Sequence, residues 1–247
     1  MLKATAISKS YNSHIVLDNV SIEIEPGSAC VIIGPSGAGK TTLLRCLGML
    51  DKPDSGTISI DDRLYTFPTV EEEFKNPWPE LTMVFQQHFL WPHLTLIDNI
   101  TLPLEGRCSQ KDIQTILEEL VDLFDMSEFI HRYPNEASLG QRQRVALARA
   151  LALQPRYILL DEVTSSLDVE QIENLFGHLM ELLKRGIGVL IITHLIGFAR
   201  AVLKHSSKSN IVFLDEGRAA ASGGLDLLES PTNGRISEFL AKMQLAT

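Results

Sequence analysis

Cysteine is scarce. Cys30, Cys46 and Cys108 are the only three and none stands in C-x-x-C spacing, so neither a disulfide framework nor a zinc site is expected and a reducing cytosol fits best. Positive charge is also short: 22 lysines and arginines face 31 acidic residues, for a formal net charge of −9. That balance works against the broad cationic surface a phosphate backbone needs, so nucleic acid is not expected as a partner. Long apolar runs are missing too. The stretch Val189 to Ile192 is among the longest and falls far short of the roughly 20 residues of a membrane helix. Met1 to Ser10 carries two lysines with no apolar segment behind them, so neither secretion nor membrane spanning is expected. The histidines show no metal-ligand spacing, and there is no internal repeat, long linker or low-complexity tract.

What the chain has is enough apolar residue for a core, 45% of 247 residues, which suits one α/β domain or a domain with an inserted lobe. From Ile7 to Ile33 the pattern is strand-like: Ile15-Val16-Leu17, then Ile22 and Ile24 in alternation, a Pro26-Gly27 turn, and the buried-type run Ala29 to Ile33. A glycine-rich loop and a helix from about Gly39 to Met49 follow, then a strand over Thr57 to Ile60. Phe67 to Glu80, with three prolines and an acidic cluster, reads as an irregular insertion. Ile113, Ile116, Leu117, Leu120, Val121 and Phe124 recur at helical spacing and predict an amphipathic helix over Gln110 to Asp125. The last third alternates strands (Tyr157 to Leu160, Val189 to Thr193, Ile211 to Leu214) with a helix that carries Ile172, Leu175, Phe176 and Leu179 on one face. Such alternation implies a parallel sheet covered by helices.

Gly34-Pro35-Ser36-Gly37-Ala38-Gly39-Lys40-Thr41 matches G-x-x-x-x-G-K-[ST] and lies between an apolar strand and a helix, where a phosphate loop must lie. Its glycines let successive N–H groups and the helix N-terminus turn toward anionic oxygens. Lys40 is placed to reach the β- and γ-phosphates, and Thr41 to ligate Mg²⁺. Downstream, Asp161 and Glu162 end an apolar strand, at the edge where α/β sheets hold ligands. Asp161 suits a hold on Mg²⁺. Glu162 suits polarising the water that attacks the γ-phosphate.

With these residues in order, the chain resembles an ABC transporter ATPase subunit from about Leu2 to Gly224. The resemblance implies a P-loop NTPase fold of the ABC type: a mixed sheet with helices, an N-terminal antiparallel β region, and an inserted helical subdomain. The expected division is a core lobe of residues 1–86 and 152–247 and a helical lobe of about 87–151. It implies ATP binding at Tyr11, Val16 and Gly34 through Thr42, with the Tyr11 ring stacking on adenine. Val84-Phe85-Gln86-Gln87 and Leu90-Trp91-Pro92-His93-Leu94-Thr95 are similar to the family's Q-loop and the segment after it, so Gln86 is expected at Mg²⁺ and the segment at a membrane-domain helix. His194 matches the histidine that contacts the γ-phosphate, which with Glu162 makes the catalytic pair.

Ala137-Ser138-Leu139-Gly140-Gln141 resembles the signature motif Leu-Ser-Gly-Gly-Gln, with Ala137 for its leucine and Leu139 for its first glycine. In the family this motif meets the ATP held by the opposite subunit. Ser138, Leu139, Gly140, Gln141 and Asp168 of the D-loop Ser165-Ser166-Leu167-Asp168 are therefore expected at a dimer interface, with Val163 where the family usually has proline. Leu139 adds bulk and resists backbone angles open to glycine, an expected cause of slower hydrolysis. The implied protein uses ATP and Mg²⁺, pairs with a second copy of itself, and sits peripherally on the cytoplasmic face of a membrane. It binds separate permease subunits and, through them, a solute-binding protein. Ile33 with Thr42 through Cys46, and Ile196-Gly197-Phe198-Ala199-Arg200, look most like importers of polar amino acids. The alternative is a slow ATP-gated clamp or regulatory module outside transport; the chain lacks the coiled-coil arms and second ATPase domain that similar clamps carry.

Overall fold

The structure is a computed structural model that describes residues 1–69, 76–165, 167–231 and 234–245. Glu71 to Glu73 of the expected irregular insertion and Ser166 of the D-loop segment lie outside the described residues.

Strand β1 (Leu2–Tyr11) pairs antiparallel with β2 (His14–Ile24). Asn12 and Ser13 close the hairpin with φ of 46° and 67°, the left-handed pair that matches the twist of a two-residue turn. Strands β4 (Ser55–Ile60) and β5 (Arg63–Phe67) complete a four-stranded antiparallel sheet in the order β2-β1-β4-β5. Every second residue of β2 from Val20 to Ile24 is buried, as expected of a sheet with one face on a core.

The second sheet has six strands. Its order is β10 (Arg218–Gly223), β9 (Asn210–Asp215), β3 (Ala29–Ile33), β8 (Gly188–Ile192), β7 (Tyr157–Asp161) and β6 (Leu81–Val84). All its pairings are parallel except that of β10 with β9. Alternation along β3 divides the interior. Cys30 and Ile32 join one buried cluster with the first sheet and with Leu43, Leu44 and Leu47 of helix α1 (Lys40–Leu47). Ala29, Val31 and Ile33 join a second cluster. Each large apolar side chain so buried contributes about 1.5–3 kcal/mol.

The second cluster is built by the helices. Between β6 and β7 come α2 (Leu96–Thr101), α3 (Gln110–Leu123) and α4 (Leu139–Ala152). Ile113, Leu117 and Leu120 of α3 and Val145, Leu147 and Leu151 of α4 share that cluster with Ile158 and Leu160 of β7. Ser109 starts α3 with a capping box to Asp112, and Phe124 caps its other end, so the amphipathic stretch ends about where its periodicity stops. Helices α5 (Val169–Lys184) and α6 (Ile196–His205) cover the sheet from the same side, and α7 (Asp226–Glu229) and α8 (Gly234–Leu245) end the described chain. None of the helices among the described residues is long and apolar enough to cross a membrane.

Three strands, β5, β6 and β10, were not read from the sequence. β5 has Leu64 exposed and only Tyr65 and Phe67 buried, and β10, read from Arg-Ala-Ala-Ala-Ser-Gly, buries no residue fully. Edge strands with so little apolar burial leave no periodic signal. β10 also makes the second sheet mixed, where strand–helix alternation alone implied a parallel one. Helix α1 is shorter than expected, because Gly39 and Met49 take left-handed φ of 97° and 58°.

Candidate functional site

β3, β8 and β7 are consecutive neighbours in the sheet, and their C-terminal ends with the segments that follow carry Gly34 to Thr41, His194, and Asp161 with Glu162. Parallel pairing thus brings three distant segments to one edge.

The loop after β3 has little freedom of composition. A Cβ on Gly34 would stand 2.0 Å from the Leu214 carbonyl oxygen, and one on Gly39, at φ 97°, would stand 2.7 Å from that of Val16. Gly39 is the N-cap of α1 and provides no side-chain cap, so the amides of the first turn are left for another acceptor. Lys40 is buried, and its ammonium donates to the carbonyls of Gly34 and Pro35, both at 2.9 Å. Burial pushes its pKa down, while the charges of Glu162 and Asp161 hold it up. Val16, Ser36, Gly37, Gly39, Lys40, Thr41, Thr42 and Glu162 line a cavity of about 330 Å³. Gly34, Pro35 and Ala38 build the loop instead: Pro35 O accepts from the Ala38 amide at 3.2 Å, and Ala38 O accepts from Gly217.

Asp161 is the buried last residue of β7, and the Thr41 hydroxyl faces its Oδ1 at 3.5 Å. Burial raises its pKa above the usual carboxylate range and the Glu162 charge raises it further, against Thr41, Lys40 and His194. Glu162 turns off the strand with φ 49° while its amide still donates to Ile192 O at 3.0 Å. Its Oε1 lies 2.6 Å from Nε2 of His194. One residue earlier, Thr193 Oγ1 meets Thr164 Oγ1 at 2.7 Å and accepts from the Leu195 amide at 3.0 Å. The two strand ends are therefore tied at a buried hydroxyl pair as well as at the Glu162–His194 hydrogen bond.

Gln86 reaches this edge indirectly. Its Nε2 donates to Ser165 Oγ at 3.1 Å, and that hydroxyl donates to the Glu162 carbonyl at 2.8 Å. A second amide, not singled out from the sequence, is Gln143 of α4: it is buried and donates to Val163 O at 2.6 Å. The signal was present, since Gln143 shares a helix face with buried Ala146, Leu147, Ala150 and Leu151, and a polar residue at a core position calls for a specific partner.

Ser138 to Gln141 do not enter the cavity. Ser138 is the N-cap of α4: its hydroxyl accepts from the Gln141 amide at 3.2 Å, and the Gln141 side chain accepts from the Ser138 amide at 2.9 Å. Ala137 is buried beneath this cap. Leu139 takes the first helical position with no positive φ, so its backbone does not need glycine. Gly140 packs close to α5, where a Cβ would stand 3.1 Å from the Gln171 side chain. Ser138, Gly140 and Gln141 line a separate pocket with Gln171 and Asn174. Asp168 caps α5, accepting from the Gln171 amide at 2.8 Å.

Tyr11 also stands outside the cavity lining, on the hairpin whose return strand supplies Val16. Its hydroxyl donates to Asp51 Oδ2 at 2.6 Å, and Arg45 donates to the same carboxylate through Nε at 2.7 Å and Nη2 at 3.0 Å. The Arg45 guanidinium holds the Asp51 pKa down to about 2, and the bond to Asp51 pushes the Tyr11 hydroxyl up to about 12.

The family model described as ABC transporter matches residues 17–165. The glutamine transport ATP-binding protein GlnQ of Escherichia coli (strain K12) is 40% identical over 243 residues, 97% of this chain and 98% of its own. The arginine transport ATP-binding protein ArtM of Bacillus subtilis (strain 168) is 38% identical and covers 98% of this chain and 100% of its own. The L-cystine import ATP-binding protein TcyN of the same strain is 36% identical over 98% of this chain and 93% of its own. Among solved structures, a dimeric post-hydrolysis state of an ATP-binding cassette bound to ADP and Pi superposes with a TM-score of 0.77 at 33% identity, covering 91% of this chain and 99% of that one. The dimeric structure of a bacterial ABC transporter cassette gives 0.79 at 34% identity over the same shares.

Proposed function

The chain belongs to the ABC transporter family as an ATP-binding subunit that hydrolyses ATP, and from that premise we propose that a pair of its copies drives import of polar amino acids through separate permease subunits. The observation that carries the hydrolytic part is the meeting of Lys40, Asp161, Glu162 and His194 at the ends of three neighbouring strands. The names of the relatives, which specify glutamine, arginine and L-cystine, support the substrate class.

In this reading the triphosphate lies along Ser36 to Thr42, with Tyr11 and Val16 toward the base. Lys40 exchanges the carbonyls of Gly34 and Pro35 for phosphate oxygens. Glu162, oriented by His194, accepts a proton from water as the water oxygen bonds the γ-phosphorus and the bond to the bridging oxygen of ADP breaks. Thr41, Asp161 and Gln86 offer hydroxyl, carboxylate and amide oxygens, the hard donors that suit Mg²⁺. The buried Asp161 beside Glu162 gathers two carboxylates at one strand end, a pairing that a divalent cation fits. No cluster of three His, Cys, Asp or Glu stands ready for a metal among the described residues, which agrees with an ion that takes most of its ligands from phosphates and water. Mg²⁺ would neutralise charge on the phosphate oxygens.

Because Ser138 to Gln141 lie outside the chain's own cavity, they are read as facing the nucleotide of the second copy. Binding of ATP then favours the closed pair and hydrolysis releases it, so permease conformation follows the nucleotide cycle. Residues 1–86 with 152–247 are read as the core lobe and about 87–151 as the helical lobe. A groove of about 460 Å³ lined by Leu50, Trp78, Met83, Phe85, Trp91 and Leu102 is read as the seat of a permease helix, and the pair is read as sitting on the cytoplasmic face of a membrane. Asn99, buried, fixes the rim by donating to Trp91 O at 3.1 Å and Thr95 O at 2.9 Å. A solute-binding protein would act through the permease. The slow-clamp alternative depended on Leu139, whose backbone is ordinary and whose neighbouring cap is made; no structural observation favours it.

The test is uptake of labelled glutamine, arginine and cystine by cells with and without the chain, together with mass-spectrometric identification of membrane proteins that co-purify with it. Loss of uptake of at least one and recovery of a multi-spanning partner are expected; unchanged uptake of all three would sink the substrate reading.

A further inference from the structure

Helix α1 begins at Lys40, in the phosphate loop, and carries Arg45 in its last turn. Arg45 grips Asp51 through two nitrogens, and Asp51 in turn accepts the Tyr11 hydroxyl. On the other side of the cluster the Lys9 ammonium is fixed by Lys52 O at 2.7 Å and Asp54 Oδ1 at 3.0 Å, and it lies 5.4 Å from the centre of the Tyr11 ring. Tyr11 is 42% exposed, so packing alone does not set the angle of its ring. Hydrogen bonding from one end and the ammonium over one face do.

We propose that Asp51 is a positioning residue for the nucleotide base: held by Arg45, it fixes the Tyr11 ring at the angle on which a purine stacks, and so ties the base platform to the helix that starts the phosphate loop. This rests on the reading of Tyr11 as that platform. An unfixed tyrosine must lose rotamer freedom each time a base stacks on it, whereas a ring already bonded at its hydroxyl has lost that freedom beforehand. One short rigid helix then sets the spacing between base and phosphates, and Lys9 over one face leaves the opposite face for the base. The contribution falls on the base half of ATP and not on the phosphate half.

The test is titration of the purified full chain with ATP and with tripolyphosphate, which has the phosphates and no base. Tyr11→Ala comes first and is expected to weaken ATP by about ten- to hundredfold and to leave tripolyphosphate unchanged. If ATP affinity is unaltered in Tyr11→Ala, the platform reading itself fails and the inference with it. Given that loss, Asp51→Ala and Tyr11→Phe are each expected to weaken ATP by about three- to tenfold, and the double variant no more than either. Wild-type ATP affinity in Tyr11→Phe, an undiminished Asp51→Ala loss in the Tyr11→Phe background, or an equal fall for tripolyphosphate in Asp51→Ala would overturn the role of Asp51 while leaving the platform reading in place.

Discussion

Glu162 and His194 form a 2.6 Å contact between the ends of two adjacent parallel strands, with Glu162 swung out of its strand by a left-handed backbone and His194 one residue beyond a buried threonine pair. The histidine is the one side-chain hydrogen-bond partner found for that carboxylate among the described residues. Replacing it removes the contact that orients Glu162, which lines the cavity while His194 itself stands outside that lining. His194→Ala is expected to slow ATP turnover by about 10²-fold with ATP affinity little changed. Steady-state phosphate release beside equilibrium titration separates the two, and unchanged turnover would count against the pair.

Asp161 gives a stability effect with a definite sign. Its pKa is raised in the folded chain, first by burial and then by the Glu162 charge, so the folded state holds the proton more tightly than the unfolded one. Ionisation therefore costs stability above the raised value, and the cost fades as pH falls through it. Asp161→Asn is expected to raise the nucleotide-free melting temperature at neutral pH by roughly 2–4 °C, by less in acid, while turnover falls. A lower melting temperature at neutral pH would show that the carboxylate is net stabilising.

Gln143 is buried and donates to the carbonyl of Val163, next to Glu162. Gln143→Leu keeps the volume and strands that carbonyl, at a cost of about 1–3 kcal/mol. Thermal denaturation should show a fall of roughly 2–4 °C for each kcal/mol. No fall would mean that water or another donor takes over.

Leu139 has an ordinary helical backbone, so an effect on rate would come from the bulk of its side chain. Leu139→Gly is expected to raise the turnover rate, measured on the two purified chains under the same conditions. Equal rates would mean that the paired site accommodates leucine.

The phosphate loop, Asp161, Glu162 and His194 were legible because each sits at a strand end marked by a dense apolar run, and local pattern suffices to place strand ends. Gln143 and Asp51 were not, since their roles arise from contacts across 20 and 40 positions of sequence that no periodicity encodes. β5 and β10 escaped for a different reason: at sheet edges, few of their side chains are buried. The effect expected of Leu139 had two parts, and only geometry could remove the backbone part, because a sequence gives the residue and not its φ.

Glu162→Gln is the most direct test of ATP hydrolysis at Glu162 within a closed pair of chains. Phosphate release and molar mass in solution are measured with saturating ATP and Mg²⁺. ATP affinity is expected to stay close to that of the parent chain, turnover to fall by about 10²–10⁴-fold, and an ATP-dependent dimer to persist because it cannot be discharged. Turnover equal to that of the parent chain would contradict hydrolysis at Glu162.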